Sequence, residues 1–264
     1  MRDLGRTKTM YPERSVISEK TFLVTGAGTG IGYAIAEELT TSGASVILHC
    51  NSHIDKVREL SSNAKSRCLV IQKDLSEPEA GSTLVTEIIR QGFSIDGVVN
   101  NAGTMTTLMS DDEPLIWEEK WIKTLRVNLI AASSIARTAI EHFKSRGSGI
   151  IVNISSRSAH RGDPPAYMHY AASKAGLDNL TKSIARHFAS DGILAYSICP
   201  GLVDTEMASE FIRNHSSSEL VSDIPLKRMG RPDEIASMVV FLLSGKVPFA
   251  TGASMDMNGA SYVR

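Results

Sequence analysis

The sequence predicts an α/β fold with a doubly wound, Rossmann-type parallel sheet of about seven strands and helices on both faces. Short apolar runs alternate with longer amphipathic stretches along most of the chain. The short runs are continuously apolar, as in Val46-Ile47-Leu48, which is typical of strands that are buried on both faces. Because such strands alternate with helices, they indicate βαβ units in one parallel sheet.

The individual strands are assigned to the apolar runs, which are rich in Val, Ile and Leu. They cover residues 21–25, 45–48, 68–72, 97–100, 149–154, 194–199 and 254–256. Helices are assigned to the amphipathic stretches between them. They cover residues 31–41, 54–64, 77–91, 118–144, 167–190 and 232–243, with breaks expected near the start of the fourth. We expect the strand order 3-2-1-4-5-6-7 in the sheet.

The composition excludes several classes of protein. The 264 residues include 28 Lys and Arg and 29 Asp and Glu, so the net charge is −1 and neither nucleic acid nor a membrane surface is an expected partner. The longest apolar run, residues 238–243, is far shorter than the roughly 20 residues that span a bilayer. Three scattered cysteines suit neither a disulfide framework nor a zinc site, so we expect no metal and a reducing, cytoplasmic compartment.

The domain organisation is expected to be simple. Residues 1–19 carry many charges and no apolar segment, which argues against a secretory signal and predicts a polar leader without stable structure. No linker rich in Pro, Gly or Ser divides the remainder of the chain. Residues 20–264 are therefore predicted to form a single Rossmann-type domain.

A glycine-rich turn, residues 25–32 (TGAGTGIG), leads from the first strand directly into the first helix. Glycines let the backbone turn tightly and approach a ligand closely, and the helix N-terminus offers unpaired N–H groups to a pyrophosphate. Since the turn lies in the first βαβ unit of a parallel sheet, it predicts nucleotide binding.

The spacing of this turn, T-G-x-x-x-G-x-G, resembles that of the short-chain dehydrogenase/reductase family. Further segments match the family in the expected order, from about residue 20 to the end: Asp74-Leu75, Asn100-Asn101-Ala102-Gly103, Val127-Asn128-Leu129, Ser155-Ser156, Tyr170-Ala171-Ala172-Ser173-Lys174 and Pro200-Gly201. Each match is weak alone, but together they are specific. The overall pattern is most similar to 3-oxoacyl-carrier-protein reductases and related carbonyl reductases.

The resemblance implies a set of residues that contact a nicotinamide dinucleotide. These are Gly26, Thr29, Gly30, Ile31, Gly32, Asn51, Ser52, Asp74, Leu75, Asn101, Ala102, Gly103, Tyr170, Lys174, Pro200, Gly201, Val203 and Thr205. In the family, the acid that binds the ribose of NAD stands at the end of the second strand. Here Asn51, Ser52 and His53 occupy that stretch, so no carboxylate would repel a 2′-phosphate, although Arg and Lys are missing there too. We expect NADP(H) in preference to NAD(H).

The candidate catalytic pair is Tyr170 and Lys174. They are four residues apart, so they share one face of a helix. A phenol has a pKa near 10, and a neighbouring ammonium favours the phenolate. We therefore expect Lys174, with the positive ring of an oxidised cofactor, to lower the pKa of Tyr170. Tyr170 would act as the acid in reduction and as the base in oxidation.

The resemblance implies two further catalytic residues, Ser156 and Asn128. Ser156 would hydrogen-bond the carbonyl oxygen of the substrate, and Asn128 would kink a helix and hold a water in a proton relay. Ser156 precedes Tyr170 by fourteen residues, one more than is usual in the family, so the loop between them is expected to have its own shape. Ser155 and Ser158 remain alternatives for the active serine.

The function implied is hydride transfer that reduces a carbonyl group, of the 3-oxoacyl type or another ketone, to a secondary alcohol. The partner is a small carbonyl or alcohol substrate, free or carrier-bound, and a homotetramer is the expected assembly. Three alternatives stay open: a sugar or secondary-alcohol dehydrogenase that runs oxidatively, a non-catalytic nucleotide-binding regulator, and an enoyl reductase. Enoyl reductases of this kind separate Tyr and Lys more widely than the four-residue step seen here.

Overall fold

A computed structural model describes residues 17–209 and 216–264. Seven parallel strands form one sheet in the order β3-β2-β1-β4-β5-β6-β7, so the predicted fold class and strand order are confirmed. The strands are β1 Thr21–Thr25, β2 Ser45–Cys50, β3 Cys68–Gln72, β4 Gly97–Asn100, β5 Gly149–Ile154, β6 Ile193–Pro200 and β7 Ser254–Met257. Most of the predicted leader, residues 1–16, lies outside the described residues, and Ile17–Glu19 form a short 3-10 helix.

Helices cover both faces of the sheet, as predicted. They are α1 Gly30–Thr41, α2 Ile54–Asn63, α3 Ala80–Arg90, α4 Pro114–Leu125, α5 Ala131–Arg146, α6 Ser158–Arg161, α7 Met168–Phe188, α8 Ser217–Leu220 and α9 Pro232–Leu243. On one face α1 and α9 pack beside α2 over Val24, Leu48 and Val152. On the other face α3, α5 and the end of α7 pack over Leu23, Ile47 and Ile151. Neighbouring residues of one strand thus enter opposite cores, which explains the continuous apolar runs.

The helical region before β5 differs most from its prediction. It begins at Pro114 rather than at residue 118, because proline is well suited to the first turn of a helix. It is also interrupted by a π-helical turn, Arg126–Ile130, between α4 and α5. The break that the sequence predicted is therefore real, and it falls at Asn128. Such turns are frequent at functional sites because they redirect side chains.

The third helix is shorter than predicted at its start. Residues 77–79 form turns, and α3 begins at Ala80. Glu79 has a positive φ of 58°, which is incompatible with a helical residue and ends any earlier helical turn. The short helix α6 was not predicted, because four residues carry too little periodicity to identify it.

A buried polar network joins the sheet to α7. The Asn100 side-chain amide donates to Asn153 Oδ1 at 2.9 Å, and the Asn153 amide donates to Thr181 Oγ1 at 2.8 Å. Asn153 and Thr181 have no exposed surface, so these hydrogen bonds are made away from water. The network sets the position of α7 on the sheet and, with it, the positions of Tyr170 and Lys174. No helix in the described part of the chain is both long enough and apolar enough to span a membrane.

Candidate active site

Two adjoining cavities open at the carboxyl ends of the strands. The first, of about 360 Å³, lies over β1, β2 and β4, and the second, of about 250 Å³, lies over β5 and β6. Ile31, Asn101 and Thr205 line both, so the cavities meet there. In open α/β sheets ligands bind at this edge, where the strand order reverses.

The structure brings nearly all of the sequence-predicted residues to these cavities. Those in the first are Gly26, Thr29, Gly30, Ile31, Asn51, Ser52, Asp74, Leu75, Asn101, Ala102, Gly103 and Thr205. Those in the second include Ser156, Tyr170, Lys174, Pro200, Gly201 and Val203. Gly32 and Asn128 do not line either cavity, and each lies directly behind one of the lining loops.

The glycine-rich turn is shaped by close backbone contacts. Gly26 and Gly30 have positive φ values of 69° and 54°, which side chains rarely adopt. A Cβ at Gly32 would lie 2.1 Å from the Gly26 carbonyl oxygen and 2.3 Å from Asn101 Nδ2. The turn therefore has no room for a side chain at Gly32. This tight backbone geometry fits the pyrophosphate-binding turn of a dinucleotide site.

Asn101 ties this turn to the loop after β4. Its side-chain amide donates to the carbonyl oxygens of Thr25 and Gly26, at 3.0 and 3.2 Å. In return Thr25 Oγ1 accepts hydrogen bonds from the backbone N–H groups of Asn101 and Ala102, both at 3.0 Å. These hydrogen bonds therefore join the two loops that wall the first cavity.

His49, at the end of β2, supports the same turn and was missed by the sequence analysis. Its Nδ1 accepts the Gly26 N–H at 3.2 Å, so Nε2 carries the proton and donates to the Lys73 carbonyl at 2.9 Å. Burial lowers the pKa of His49, which keeps the ring neutral and preserves the acceptor at Nδ1. Only its presence in an otherwise apolar strand distinguished it in the sequence.

The cavity has further lining residues outside the predicted set of cofactor contacts, although Gly28 and Val127 lie within the quoted motifs and His53 lies in the stretch after β2. They are Gly28, Cys50, His53, Ser76, Thr104, Lys123, Val127 and Met207. At the end of β2, Ser52 Oγ lies 2.9 Å from His53 Nδ1, and His53 Nε2 lies 3.4 Å from Glu206. Lys56, in the first turn of α2, pairs with the same carboxylate at 3.0 Å. A lysine therefore stands near residues 51–53, although the sequence analysis found none within that stretch.

Asn128 projects from the π-helical turn and holds the loop that follows β4. Its Oδ1 accepts the Thr104 N–H at 2.7 Å, and its amide donates to the Thr104 carbonyl and to Ser173 Oγ, both at 3.0 Å. A Cβ on Gly103 would lie 3.4 Å from Asn128 Oδ1 and 3.5 Å from Lys174 Nζ. Asn128 thus stands beside Lys174 with its amide already bonded to protein groups.

Lys174 and Tyr170 share one face of α7, as predicted, but the pKa of Tyr170 differs from expectation. Lys174 Nζ donates to the Ile154 carbonyl at 2.7 Å and lies 5.7 Å from the Tyr170 ring centre. Burial raises the pKa of Tyr170 to about 12, only partly opposed by a hydrogen bond with Ser156. Burial also lowers the pKa of Lys174 to about 8. The expected phenolate is therefore not favoured in this cofactor-free state, because desolvation and the nearby Asp163 carboxylate both disfavour the charged form of Tyr170.

The three candidate serines have different surroundings. Ser155 Oγ donates to the Lys174 backbone carbonyl at 2.9 Å, so its hydroxyl connects β5 to α7. Ser156 Oγ accepts the Ser158 N–H at 3.1 Å and donates to Ser158 Oγ at 3.0 Å. Ser156 is therefore the serine that faces the Tyr170 hydroxyl, and Ser158 orients it.

A cluster of potential metal ligands lies below the second cavity. His160 Nε2 is 3.7 Å from Cys199 Sγ and 3.7 Å from an Asp178 oxygen. Asp178 is already paired with Lys182 at 2.7 Å and accepts a hydrogen bond from Ser254. Burial raises the pKa of Cys199 to about 11, so its thiol stays protonated and is a poor ligand. Hydrogen bonds and ion pairs within the protein account for this cluster.

Comparison with known proteins adds to this geometry. A family model described as "Enoyl-(Acyl carrier protein) reductase" matches residues 26–259. The 3-oxoacyl-[acyl-carrier-protein] reductase FabG of Staphylococcus aureus is 31% identical over 248 residues, which are 92% of this chain and 98% of that protein.

Two solved structures resemble the fold closely. A putative NAD(P)-dependent gluconate 5-dehydrogenase from Beutenbergia cavernae, with bound NADP, has a TM-score of 0.85 and 27% identity, over 94% of this chain and 99% of that one. A 3-oxoacyl (acyl-carrier-protein) reductase from Agrobacterium tumefaciens, with NADP bound, has a TM-score of 0.81 and 31% identity, over 91% of this chain and 93% of that one.

The tight turn at Gly32 gives a direct test of the dinucleotide site. In Gly32→Ala the added methyl group would meet the Gly26 carbonyl and force the turn open, so cofactor affinity should fall at least tenfold, for a cost of about 1–3 kcal/mol. Gly92→Ala is the control for a glycine substitution away from the site, because its methyl group would meet no atom within 4 Å, although the φ of Gly92 is positive and that of Gly32 is not. Calorimetric titration with NADPH, alongside circular dichroism, measures both. Equal affinities in the two variants would contradict the assignment.

Proposed function

Because the chain belongs to the short-chain dehydrogenase/reductase family, we propose that it reduces a ketone to a secondary alcohol, with Tyr170 as the general acid. Family membership makes it an oxidoreductase of CH–OH and C=O groups that uses a nicotinamide cofactor. The observation that carries the finer proposal is the meeting of the Ser156 and Tyr170 hydroxyls in one cavity, with Lys174 buried behind them.

The chemistry follows from what these side chains offer. A bound reduced nicotinamide supplies the hydride. Ser156, whose hydroxyl is oriented by Ser158, would donate a hydrogen bond to the carbonyl oxygen as negative charge develops there. Tyr170 would then transfer its proton to that oxygen.

The protonation states of the cofactor-free site are those that the reductive step requires. With its pKa raised to about 12, Tyr170 carries its proton at neutral pH and is ready to act as an acid. With its pKa near 8, Lys174 is mostly charged at pH 7 and would hold the nicotinamide ribose. Oxidation requires the opposite state of Tyr170, so it would depend on the positive charge of an oxidised cofactor. Asn128 would hold Thr104 and Gly103 in place beside Lys174, where the resemblance puts a proton relay.

A carbonyl suits the site better than the C=C bond named in the family model's description. Two hydroxyl donors converge where one oxygen would bind, which suits a ketone whose oxygen keeps the transferred proton, whereas saturation of an enoyl group leaves both added hydrogens on carbon. The four-residue step from Tyr170 to Lys174 also follows the carbonyl reductase pattern. Whether the ketone is a 3-oxoacyl group or a sugar-like substrate is left open by relatives whose names include both.

We propose NADP(H) as the cofactor. No carboxylate follows β2 where it would repel a 2′-phosphate, and Asn51, Ser52 and His53 line the cavity with hydrogen-bonding groups. Lys56 stands one helical turn further on, where its ammonium pairs with Glu206, so a 2′-phosphate would replace that carboxylate as its partner. The two structural relatives named above both carry NADP. We also assign the reaction to the cytoplasm, in keeping with three cysteines that are free thiols.

A homotetramer is the proposed assembly. The outer side of α4 and the residues after it expose large apolar side chains that a partner copy would cover: Leu115, Ile116, Trp117, Ile122, Ile130 and Met168. Gly176 on α7 packs against Leu129 within the same chain, whereas Ala172 is exposed. The small residues of α7 are thus divided between internal packing and the outer surface.

Removing the proton donor tests the mechanism. Tyr170→Phe should lower kcat for ketone reduction by about 10²–10⁴-fold, because general acid help of this size is lost. Its Kd for NADPH should stay within about twofold of wild type. Tyr167→Phe, which removes a hydroxyl from the same cavity, is the matched control. Single-turnover kinetics and fluorescence titration measure both, and a Tyr170→Phe rate above half of wild type would refute the role.

Cofactor preference can be tested by adding the missing acid. Asn51→Asp should lower kcat/KM for NADPH relative to NADH at least tenfold, because its carboxylate would repel the 2′-phosphate and accept from the ribose of NADH. Asn63→Asp adds the same charge at the exposed end of α2 and should leave the ratio unchanged. A wild type that prefers NADH, or an Asn51→Asp ratio equal to that of the control, would count against NADP(H).

The assembly is measured by light scattering. At micromolar concentration we expect a mass about four times 28.5 kDa. Trp117→Glu should reduce that mass, because it would bury an unpaired charge in the proposed interface, whereas Arg90→Gln on the exposed end of α3 should not. A wild type that is monomeric under these conditions would rule the tetramer out.

A further inference from the structure

Two arginines stand in the wall of the second cavity, next to the proposed catalytic serine. Arg157 directly follows Ser156, and Arg161 ends the short helix α6. Both line the cavity of about 250 Å³ that also contains Ser156 and Tyr170. This is the loop in which the chain has one residue more than the usual family spacing.

The two guanidinium groups converge on one carboxylate oxygen. Arg157 Nη1 donates to Asp223 Oδ2 at 3.2 Å, and Arg161 Nη1 donates to the same oxygen at 2.9 Å. Each guanidinium offers five N–H donors. Among residues 17–209 and 216–264, no side chain other than Asp223 accepts a hydrogen bond from either of them. A second carboxylate, Asp163, lies 3.8 Å from Arg161. The pair is thus arranged as an anion-binding fork with donors to spare.

Arg157 and its partner Asp223 differ strongly in burial. The Arg157 side chain is 14% exposed, whereas that of Asp223 is 46% exposed. Burial lowers the pKa of Arg157, because its guanidinium is poorly hydrated. Burial also raises the pKa of Asp163, so the negative charge of this neighbouring carboxylate is disfavoured. Arg157 therefore needs an anion at this point, while Asp223 can return to water at little cost.

We propose that Arg157 and Arg161 form an anion subsite of the substrate pocket, and that the substrate is an oxo acid whose carboxylate replaces that of Asp223. The proposal rests on the ketone reduction proposed above and names its substrate class. While the pocket is empty, the Asp223 carboxylate occupies the place of the substrate carboxylate and balances the charge of the arginine pair. Since one carboxylate replaces another, the charge balance at Arg157 is the same with and without substrate.

The test compares acids with their uncharged esters. The probes are 4-oxopentanoate, 5-oxohexanoate and 6-oxoheptanoate, each beside its methyl ester, titrated calorimetrically into the complex with NADP⁺, which cannot reduce them. In at least one pair the acid should bind at least about tenfold more tightly than the ester, since a charge-assisted hydrogen bond is worth that factor or more. Reduction of the esters by NADPH is measured separately, so failure of the proposed reaction is distinguishable from failure of the subsite.

Variants separate an anion subsite from a structural ion pair. Arg161→Gln should remove the preference for the acid, and Arg157→Lys should reduce it, while ester binding stays the same. Asp223→Asn should increase acid binding several-fold, because the internal competitor is gone. Arg90→Gln and Asp55→Asn are exposed controls that should change neither.

The outcomes that overturn the proposal are definite. Equal binding of acid and ester at all three chain lengths, including no detectable binding of either, would exclude the subsite. Weaker acid binding in Asp223→Asn would show that the Asp223 contact only holds the segment after α8 in place. Either result would leave the assignment of Tyr170 untouched.

Discussion

The contact of Gly32 with the Gly26 carbonyl and the Asn101 amide is the constraint on which the rest of the site depends. The missing side chain at Gly32 lets α1 begin directly beneath the turn, and Asn101 then bonds the turn to the loop after β4. These contacts hold the two walls of the cofactor cavity at a fixed separation. Thr25 completes the arrangement, because its hydroxyl caps the backbone N–H groups of the second wall.

A second set of contacts positions α7, which carries Tyr170 and Lys174, against β5. Asn153 bonds Thr181, Ser155 bonds the Lys174 carbonyl, and Lys174 bonds the Ile154 carbonyl. These bonds are buried, so α7 is held at several points along the sheet without access to water. The same burial explains the protonation states: it raises the pKa of Tyr170 and lowers that of Lys174. In the cofactor-free protein Tyr170 therefore keeps its proton at neutral pH.

The proposed substrate side of the site is held together by a different kind of contact. Its wall includes the loop after β5, whose Arg157 and Arg161 are joined to Asp223 by ion pairs rather than by backbone contacts. Ion pairs at a partly exposed surface are weak and exchange readily with a ligand of the same charge. The cofactor side is therefore rigid, whereas the substrate side can accommodate a charged group by replacing one of its own.

The sequence by itself determined the fold class, the strand order and most of the residues that line the two cavities, because each depends on local pattern or spacing. Continuous apolar runs reveal a buried parallel sheet, and the glycine spacing reveals a turn that only backbone can fill. The support of His49 for that turn, the π-helical turn at Asn128 and the raised pKa of Tyr170 depended on tertiary structure. So did the convergence of Arg157 and Arg161 on Asp223, more than sixty residues away. Desolvation and long-range hydrogen bonds arise only when distant segments meet, and nothing in local spacing records them.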